Sequence, residues 1–455
     1  MAEDNTQKLK RSATWKLGVT IILTGILDWT YLSGPAVEKV GAWAPLAWIS
    51  TVVAIAVICY CSLEILLMFP NKAGGLATCI IEGFKKRHPI FAVISQWGYV
   101  TGWGLAVGAI AAFASYFIKY FIEFPDAYIN YVAIGILTGV FLINLISIEI
   151  IEKLQSLIFV LFGLTVMVIA GAFIKLPMLS PDFSGVQINA SDTNPAAVFL
   201  SACFLVGWSA CAMEAVLTLI AEYKQPEKDT KKALSSSAAV MLVMTLTICG
   251  AMTWYLPLDV VLNDPYTPLL PLAETIYGSM FARIFGFCLI VGLVIGANAC
   301  FLPASRVLFE ASRSGLMPKC FGKLNKNQVP FVAILSIYAV NFLFLMTTGG
   351  EQPTFMVVAG GISYFLMVFF AGLAVPMMRK DFPDLARPYK TPNLICALSV
   401  VASFFFLTLL IAGTIPYGLK NCLYGIGATL VAIPLYWYRV HVEDKREAEP
   451  IQDSV

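Results

Sequence analysis

Apolar residues along this chain fall into blocks of about 20 positions or more, and the short stretches between them hold most of the charge. Twelve such blocks run near 17–40, 42–69, 90–122, 129–147, 154–174, 195–221, 233–255, 279–312, 329–347, 354–378, 392–414 and 418–438. A hydrocarbon core about 30 Å thick takes roughly 20 residues of α-helix to cross. Each block therefore predicts one membrane-spanning helix. The first is too long and too interrupted for a secretory leader, and no small-residue cleavage site follows it. It reads as helix 1.

Composition agrees. Of 455 residues, 59% are hydrophobic and 13% charged, against about 25% charged in a soluble domain. The chain lacks the polar surface to be anything but a polytopic membrane protein. Charge then sets an orientation, because Lys and Arg accumulate on the cytoplasmic side. With the N-terminus inside, 25 of the 30 Lys and Arg residues fall in cytoplasmic segments, Lys153 of the loop between helices 4 and 5 among them. Lys39, Lys119, Lys175, Arg283 and Lys420 stay outside. This split predicts twelve helices with both termini in the cytoplasm. The net charge of +2 adds little, since the charges are sorted by side.

Little else suggests chemistry. The eleven cysteines show no paired extracellular spacing and mostly lie inside helices, as small apolar packing residues do. His88 and His441, the two histidines, both fall in cytoplasmic segments, so no histidine-based metal site is expected. No HExxH, Walker A or GxSxG motif occurs, which argues against an enzyme and against a cofactor. One sequon, Asn189-Ala190-Ser191, lies in the longest outer loop, and the charged tail "VEDKREAEPIQDSV" reads as disordered.

The exception to this sorting is "LTGILDWTYLSGP", residues 23–35, which carries Asp28 inside the first block. Asp28 is 12 residues past Lys16, about 18 Å along a helix, near the middle of the bilayer. A lone ionised Asp there costs roughly 2.5–3.5 kcal/mol on insertion scales. No Lys or Arg lies in the central part of any block. Three readings stand: a protonated packing residue, a proton carrier that never touches substrate, and the counter-ion of a cationic substrate.

Four loops carry a further pattern. Helix 2 is followed by "FPNKAGGLATCIIEGF", helix 6 ends "AEYKQPEKDTKKA", helix 8 leads into "SRVLFEASRSGLMPKCFGKLNKNQVPFVA", and helix 10 into "RKDFPDLARPYKTP". In this order and spacing they resemble the amino acid–polyamine–organocation superfamily of secondary transporters, amino acid permeases in particular, over roughly residues 15–440. The resemblance implies the leucine-transporter-type fold, all-α with twelve transmembrane helices. Two inverted repeats, residues 17–174 and 195–378, would be joined by an extracellular loop at 175–194. A cytoplasmic loop at 379–391, helices 11 and 12 at 392–438, and cytoplasmic tails at 1–16 and 439–455 complete the layout. Helices 1 and 6 would be broken near the midplane, where irregular backbone is tolerated only beside a cavity and where such transporters hold substrate. Gly25, Gly34 and Pro35 weaken helix 1; Gly207, Ser209 and three alanines weaken helix 6. Small-residue packing between helices is the competing explanation.

At the most informative place the chain departs from the family. The helix 1 break there usually reads Gly-(Ser/Thr)-Gly, with a proline seven residues after the first glycine. Aligning on Pro35 puts Asp28, Trp29 and Thr30 on those three positions. Monoamine transporters of the related sodium-symporter family carry an Asp at the comparable place. A substrate carboxylate 4 Å away would be repelled by about 4 kcal/mol at an effective dielectric of 20, which favours amines or polyamines over zwitterionic amino acids.

Glu214 matches the acidic residue of the family's helix 6 motif, although Ala210, Cys211, Ala212 and Met213 before it depart from that motif. Trp208, Trp103 and Tyr99 offer aromatic faces to a cation, or serve as core. Ser209 and Cys211 share the helix 6 weak point. Asn298 and Ser363 either contact substrate or bond a neighbouring backbone. Glu64 matches an acidic helix 2 position, structural or gating; Asp28 and Glu214 are the other coupling candidates. Sodium-dependent relatives have helix 8 hydroxyls where this chain has none between Gly296 and Cys300. Proton-coupled relatives have a helix 5 lysine where this chain has Phe162.

The expectation is a sodium-independent exchanger of cationic amines or amino acids, working by alternating access with Asp28 as counter-ion. The alternative is an amino acid permease in which Asp28 carries a proton; a channel or receptor lacks its polar pore or signalling domain. The expected partners are the small-molecule substrate and the lipid bilayer, with no nucleic acid, cofactor or metal. The protein is expected as a monomer or homodimer in a bacterial inner (plasma) membrane.

Overall fold

The computed structural model describes residues 11, 13–72, 74–146, 158–188, 194–326, 329–347 and 354–445. Lys153 and the sequon at 189–191 lie outside them, as does the tail beyond 445. In chain order the helices are α1 (Trp15–Leu23), α2 (Ile26–Val40), α3 (Ala44–Met68), α4 (Gly75–Gly83), α5 (Ile90–Phe121), α6 (Ile129–Ile146), α7 (Ile158–Lys175), α8 (Pro195–Ala210) and α9 (Ala215–Thr218). They continue as α10 (Pro226–Trp254), α11 (Leu258–Asn263), α12 (Leu269–Tyr277), α13 (Ser279–Arg313), α14 (Phe331–Thr347), α15 (Thr354–Asp381), α16 (Asn393–Ile411), α17 (Gly418–Leu430) and α18 (Ala432–Tyr438).

Among the described residues, nine helical stretches are long and apolar enough to cross a bilayer. Two of them, Leu27–Met68 with 42 residues and Asn393–Glu443 with 51, exceed the roughly 20 that one crossing takes. Each turns at a glycine in the left-handed region, Gly41 at φ 56° and Gly418 at φ 85°, which other residues enter at a cost. The 17-residue α14 is apolar but shorter. Outward faces carry large apolar side chains, Leu142 on α6, Val401 on α16 and Leu419 on α17 among them, as suits helices whose solvent is hydrocarbon.

The interior is built around α5 and α15, which pack closely because α5 is glycine-rich on the facing side. A Cβ on Gly98 would stand 2.7 Å from the Ser363 carbonyl oxygen, and one on Gly102 2.7 Å from the Tyr364 ring. Gly102 thus lets Tyr364 lie flat against α5. That sets the position of one wall of the site.

The first block is interrupted at Thr24 and Gly25, between α1 and α2. Their amides donate to the carbonyls of Ile21 and Ile22, three residues back, and the Thr24 hydroxyl also donates to Ile21 O at 2.6 Å, competing with the helical ladder. Gly34 and Pro35 lie inside α2. Gly34 answers a contact instead: a Cβ there would meet the Pro265 carbonyl oxygen at 1.7 Å. Likewise Gly207 and Ser209 lie inside α8, and the tight 3₁₀ winding begins after them, at Cys211–Glu214. Gly207 makes room for Phe365 and Thr51. The sequence located the weak segments; close packing explains the glycines within them.

Both ends of this interior are strapped. On the face carrying the N-terminus, Ala13 pairs with the 222–224 backbone, its amide to Glu222 O at 3.0 Å and its carbonyl from Lys224 N at 2.9 Å. The Arg11 guanidinium donates to Tyr223 O, Pro70 O and Asn71 Oδ1. Beyond the far end of α2, Ala42 N donates to Asp182 O at 2.7 Å and Val186 N to Glu38 O at 3.0 Å.

Candidate functional site

Asp28 sits in the first turn of α2. A negative charge is favoured in the first turn of a helix by the helix dipole. Asp28 Oδ1 accepts from the Tyr31 hydroxyl at 2.5 Å and its Oδ2 from the Ser209 hydroxyl at 3.3 Å. Among the described residues no Lys or Arg pairs with it. Asp28 faces a small cavity whose other walls are Gly102, Trp103, Ala106, Trp208, Ala212, Cys300 and Tyr364. About 20 Å³ is open to the centre of a water molecule, room for one or two waters and not for an organic substrate. The chamber is closed around its carboxylate.

Glu214 lies behind two of those walls. It is fully buried, and its Oε1 accepts from the Tyr364 hydroxyl at 3.2 Å and from Trp103 Nε1 at 3.4 Å. Its Oε2 lies against Gly75 at the start of α4, where a Cβ would stand 3.1 Å away. Gly75 has φ 51°, so both the turn and the close approach call for glycine. The Pro-x-x-x-Gly-Gly motif thereby seats a helix N-terminus on a carboxylate, a favourable arrangement. Trp103 and Tyr364 thus face Asp28 on one side and hold Glu214 on the other.

The remaining sequence candidates divide. Tyr99 stacks on Trp103, with ring centroids 5.8 Å apart, and the Cys211 carbonyl accepts from Tyr364 at 3.3 Å; both support the walls. Trp29 is buried beside Gly25, and the Thr30 hydroxyl donates to Leu27 O at 2.6 Å, so neither lines the cavity. Asn298 accepts from Asn144 Nδ2 at 2.6 Å, joining α13 to α6. Ser363 shares a hydrogen bond with Thr429 at 2.6 Å, joining α15 to α17. Glu64 is elsewhere, in a buried cluster with Arg379 at 2.5 Å, Arg387 at 3.0 Å and the Thr391 amide at 2.8 Å.

Tyr31, Tyr364, Ala212 and Cys300 were not among the candidates. Tyr31 had a legible signal, since positions i and i+3 meet on a helix surface. Tyr364 adjoins the candidate Ser363, and one residue step of about 100° around α15 separates the cavity face from the α17 face.

An all-helical, apolar chain with a small chamber around one carboxylate, beside two helix interruptions, has the architecture of a membrane transporter. Residues 12–424 match the family model described as Amino acid permease, and the chain belongs to that family. It is an integral multi-pass membrane protein and a transporter, not an enzyme. It is similar to the lysine-specific permease LysP of Lactococcus lactis, 23% identical over 76% of this chain and 71% of that protein. It is also similar to the D-serine/D-alanine/glycine transporter of Escherichia coli K12, 23% identical over 86% of this chain and 87% of that one. The cystine/glutamate transporter of Pongo abelii is 24% identical over 94% and 85%.

Because Glu214 touches the two aromatic walls and not the cavity, its charge is expected to govern how they move. Glu214→Gln keeps the shape, so the protein should remain folded and monodisperse while exchange in proteoliposomes slows about tenfold, equivalent to 1.4 kcal/mol on the barrier. Exchange at the parental rate would return Glu214 to simple packing.

Proposed function

We propose that this permease carries small molecules bearing a protonated amine by alternating access, as a sodium-independent exchanger in which Asp28 is the substrate's counter-ion. The observation that carries this reading is a cavity-facing carboxylate whose partners are two hydroxyl donors, Tyr31 and Ser209. Those donors orient the carboxylate. The aromatic faces of Trp103, Trp208 and Tyr364 around it suit an ammonium group. Twelve crossings support the cycle if the two long apolar stretches each cross twice and α14 once. Both termini are then cytoplasmic, two inverted repeats run from 17 to 174 and from 195 to 378, and the membrane is a bacterial plasma membrane.

Substrate loading begins with release of one strap, at Ala13 and Arg11 or at Ala42 and Val186, so that the walls part on that side alone. The ammonium pairs with Asp28, the chamber closes, and the opposite strap releases. Radiolabel counterflow in proteoliposomes tests the proposal with monoamines, diamines and amino acids offered in turn. Saturable exchange of amines supports it, and no exchange of any amine-bearing solute refutes it.

A second reading is favoured by the relatives, whose names specify lysine, small D-amino acids with glycine, and cystine with glutamate. There the cargo is an amino acid and Asp28 carries a proton. Counterflow with unmodified and decarboxylated versions of the same compound separates the two. In either case, replacing sodium by choline or potassium should leave uptake within about twofold of its value, less than 0.5 kcal/mol, because no hydroxyl side chain stands between Gly296 and Cys300. A strict sodium requirement would overturn this.

A further inference from the structure

A second cavity differs from the one at Asp28 in kind: a crevice of about 530 Å³ between α5, α14 and α17. It is almost entirely apolar, and its polar side chains are engaged elsewhere. Trp97 Nε1 donates to Ala428 O at 2.7 Å, the Thr101 hydroxyl to Trp97 O at 2.9 Å, and the Ser336 hydroxyl to Val332 O at 2.7 Å. Asn341 donates to Gly104 O and accepts from Gly108 N. Tyr424, the remaining one, is exposed. Among the described residues, the donors of its buried polar side chains are taken up within the protein, so the crevice presents mostly hydrocarbon to an occupant.

Val340, Leu343, Leu423 and Val431 of the lining are exposed, so the crevice opens on the outward face of the helices, and hydrocarbon is the occupant its apolar lining suits. The dimensions narrow the choice. The lining runs from Trp97 to Leu105 on α5, from Ser336 to Phe344 on α14 and from Leu423 to Val431 at α17. Each run is about 12 Å at 1.5 Å per residue, close to the depth of one leaflet, half of a core about 30 Å thick. Phe321 joins the lining from a turn, Lys319–Gly322, that is followed by the exposed Lys323. A cation there suits a phosphate head group, with the chain running inward from it.

We propose that this crevice seats one acyl chain of a bilayer phospholipid, from the leaflet on the side of the Lys319–Gly322 turn. The chain fills space between α5, which carries the Trp103 wall of the transport chamber, and the outer helices α14 and α17. Gly427 gives a direct handle, since a Cβ there meets nothing within 4 Å. Gly427→Phe puts a ring at this open position on the crevice lining.

The test uses the full chain in liposomes containing a phospholipid with a photoactivatable diazirine in its acyl chain, followed by peptide mapping. Labelling is expected at 97–105 and 336–344 in the parent, falling at least threefold in Gly427→Phe. Labelling near Val401, on the exposed face of α16, should not change. Ser336→Phe serves as a second filling variant should Gly427→Phe not fold. Undiminished labelling of the crevice in a folded filling variant would overturn the proposal, as would absence of label there in the parent. So would cross-links from Tyr424 to a second copy of the chain in place of lipid.

Discussion

Replacing Asp28 by Asn should weaken binding of a cationic amine about 10- to 100-fold and leave the protein folded and inserted. The loss follows from exchanging a charge-assisted hydrogen bond for a neutral one, about 1.5–3 kcal/mol. Insertion does not suffer, because removing a charge from membrane depth eases it. The Asn carbonyl would still accept from one of the two hydroxyls, Tyr31 or Ser209, and the Asn NH₂ would donate to the other. Asp28→Gly restores the residue usual in the family and should also relax discrimination against amino acids, by removing the repulsion of their carboxylate. In the parent, proton and amine compete for the same carboxylate, so amine affinity falls as pH is lowered and the Asn variant lacks that dependence. Dissociation constants for an amine and an amino acid, measured at two pH values for the three proteins, check all of this. Equal amine affinity in parent and Asp28→Asn at both pH values would sink the counter-ion role.

Glu64→Ala should cause the largest loss of stability among the acidic substitutions. Glu64 is buried, with a relative side-chain exposure of 1%, and holds Arg379 and Arg387, themselves 20% and 10% exposed. Removing the shared anion leaves two partly buried guanidinium groups facing one another, and breaking a buried pair in this way costs about 3–5 kcal/mol. Solvent at Arg379 puts the expected value at the lower end, about 3 kcal/mol. The apparent melting temperature in detergent should drop by several degrees, and by less in Glu64→Gln, whose side-chain oxygen can still accept from the Thr391 amide. Affinity at Asp28 should stay within about twofold, since the cluster does not line the chamber. Parental melting combined with slowed exchange would instead make Glu64 a gating residue.

Much of the architecture could be read from the sequence, because apolar blocks and sorted charge are one-dimensional signals. The block containing Asp28 was conspicuous for the same reason: a carboxylate without a cation within reach along the chain. What escaped was set by partners remote in sequence. Asn298 is tied to Asn144, 154 positions earlier, and nothing in "GANACF" announces it. Tyr364 becomes a chamber wall because Gly102 has no side chain, a relation between two helices rather than a property of either. The motif "RKDFPDLARPYKTP" marked family membership, but that Arg379 and Arg387 converge on Glu64 needed the fold. The position of the helix breaks shows the same limit. Gly25, one of the weak points read in helix 1, is where that helix is interrupted, whereas Gly34 and Gly207 make room for a neighbour's bulk and the tight winding of helix 6 begins at Cys211.

The chamber's single carboxylate has an electrical consequence. If Asp28 is the proposed counter-ion, an ammonium neutralises the loaded chamber; once emptied, it would hold one negative charge until a proton or a second cargo molecule takes its place. The return stroke of an empty carrier would drag that charge through a low-dielectric interior, a penalty the loaded stroke escapes. Under the proposed counter-ion role, turnover would be faster with a second cargo molecule waiting on the side of release, so electrostatics would favour exchange over net flux. In that scheme the membrane potential, worth about 2.3 kcal/mol per charge for each 100 mV crossed, would act on the unprotonated empty stroke and leave the loaded one untouched.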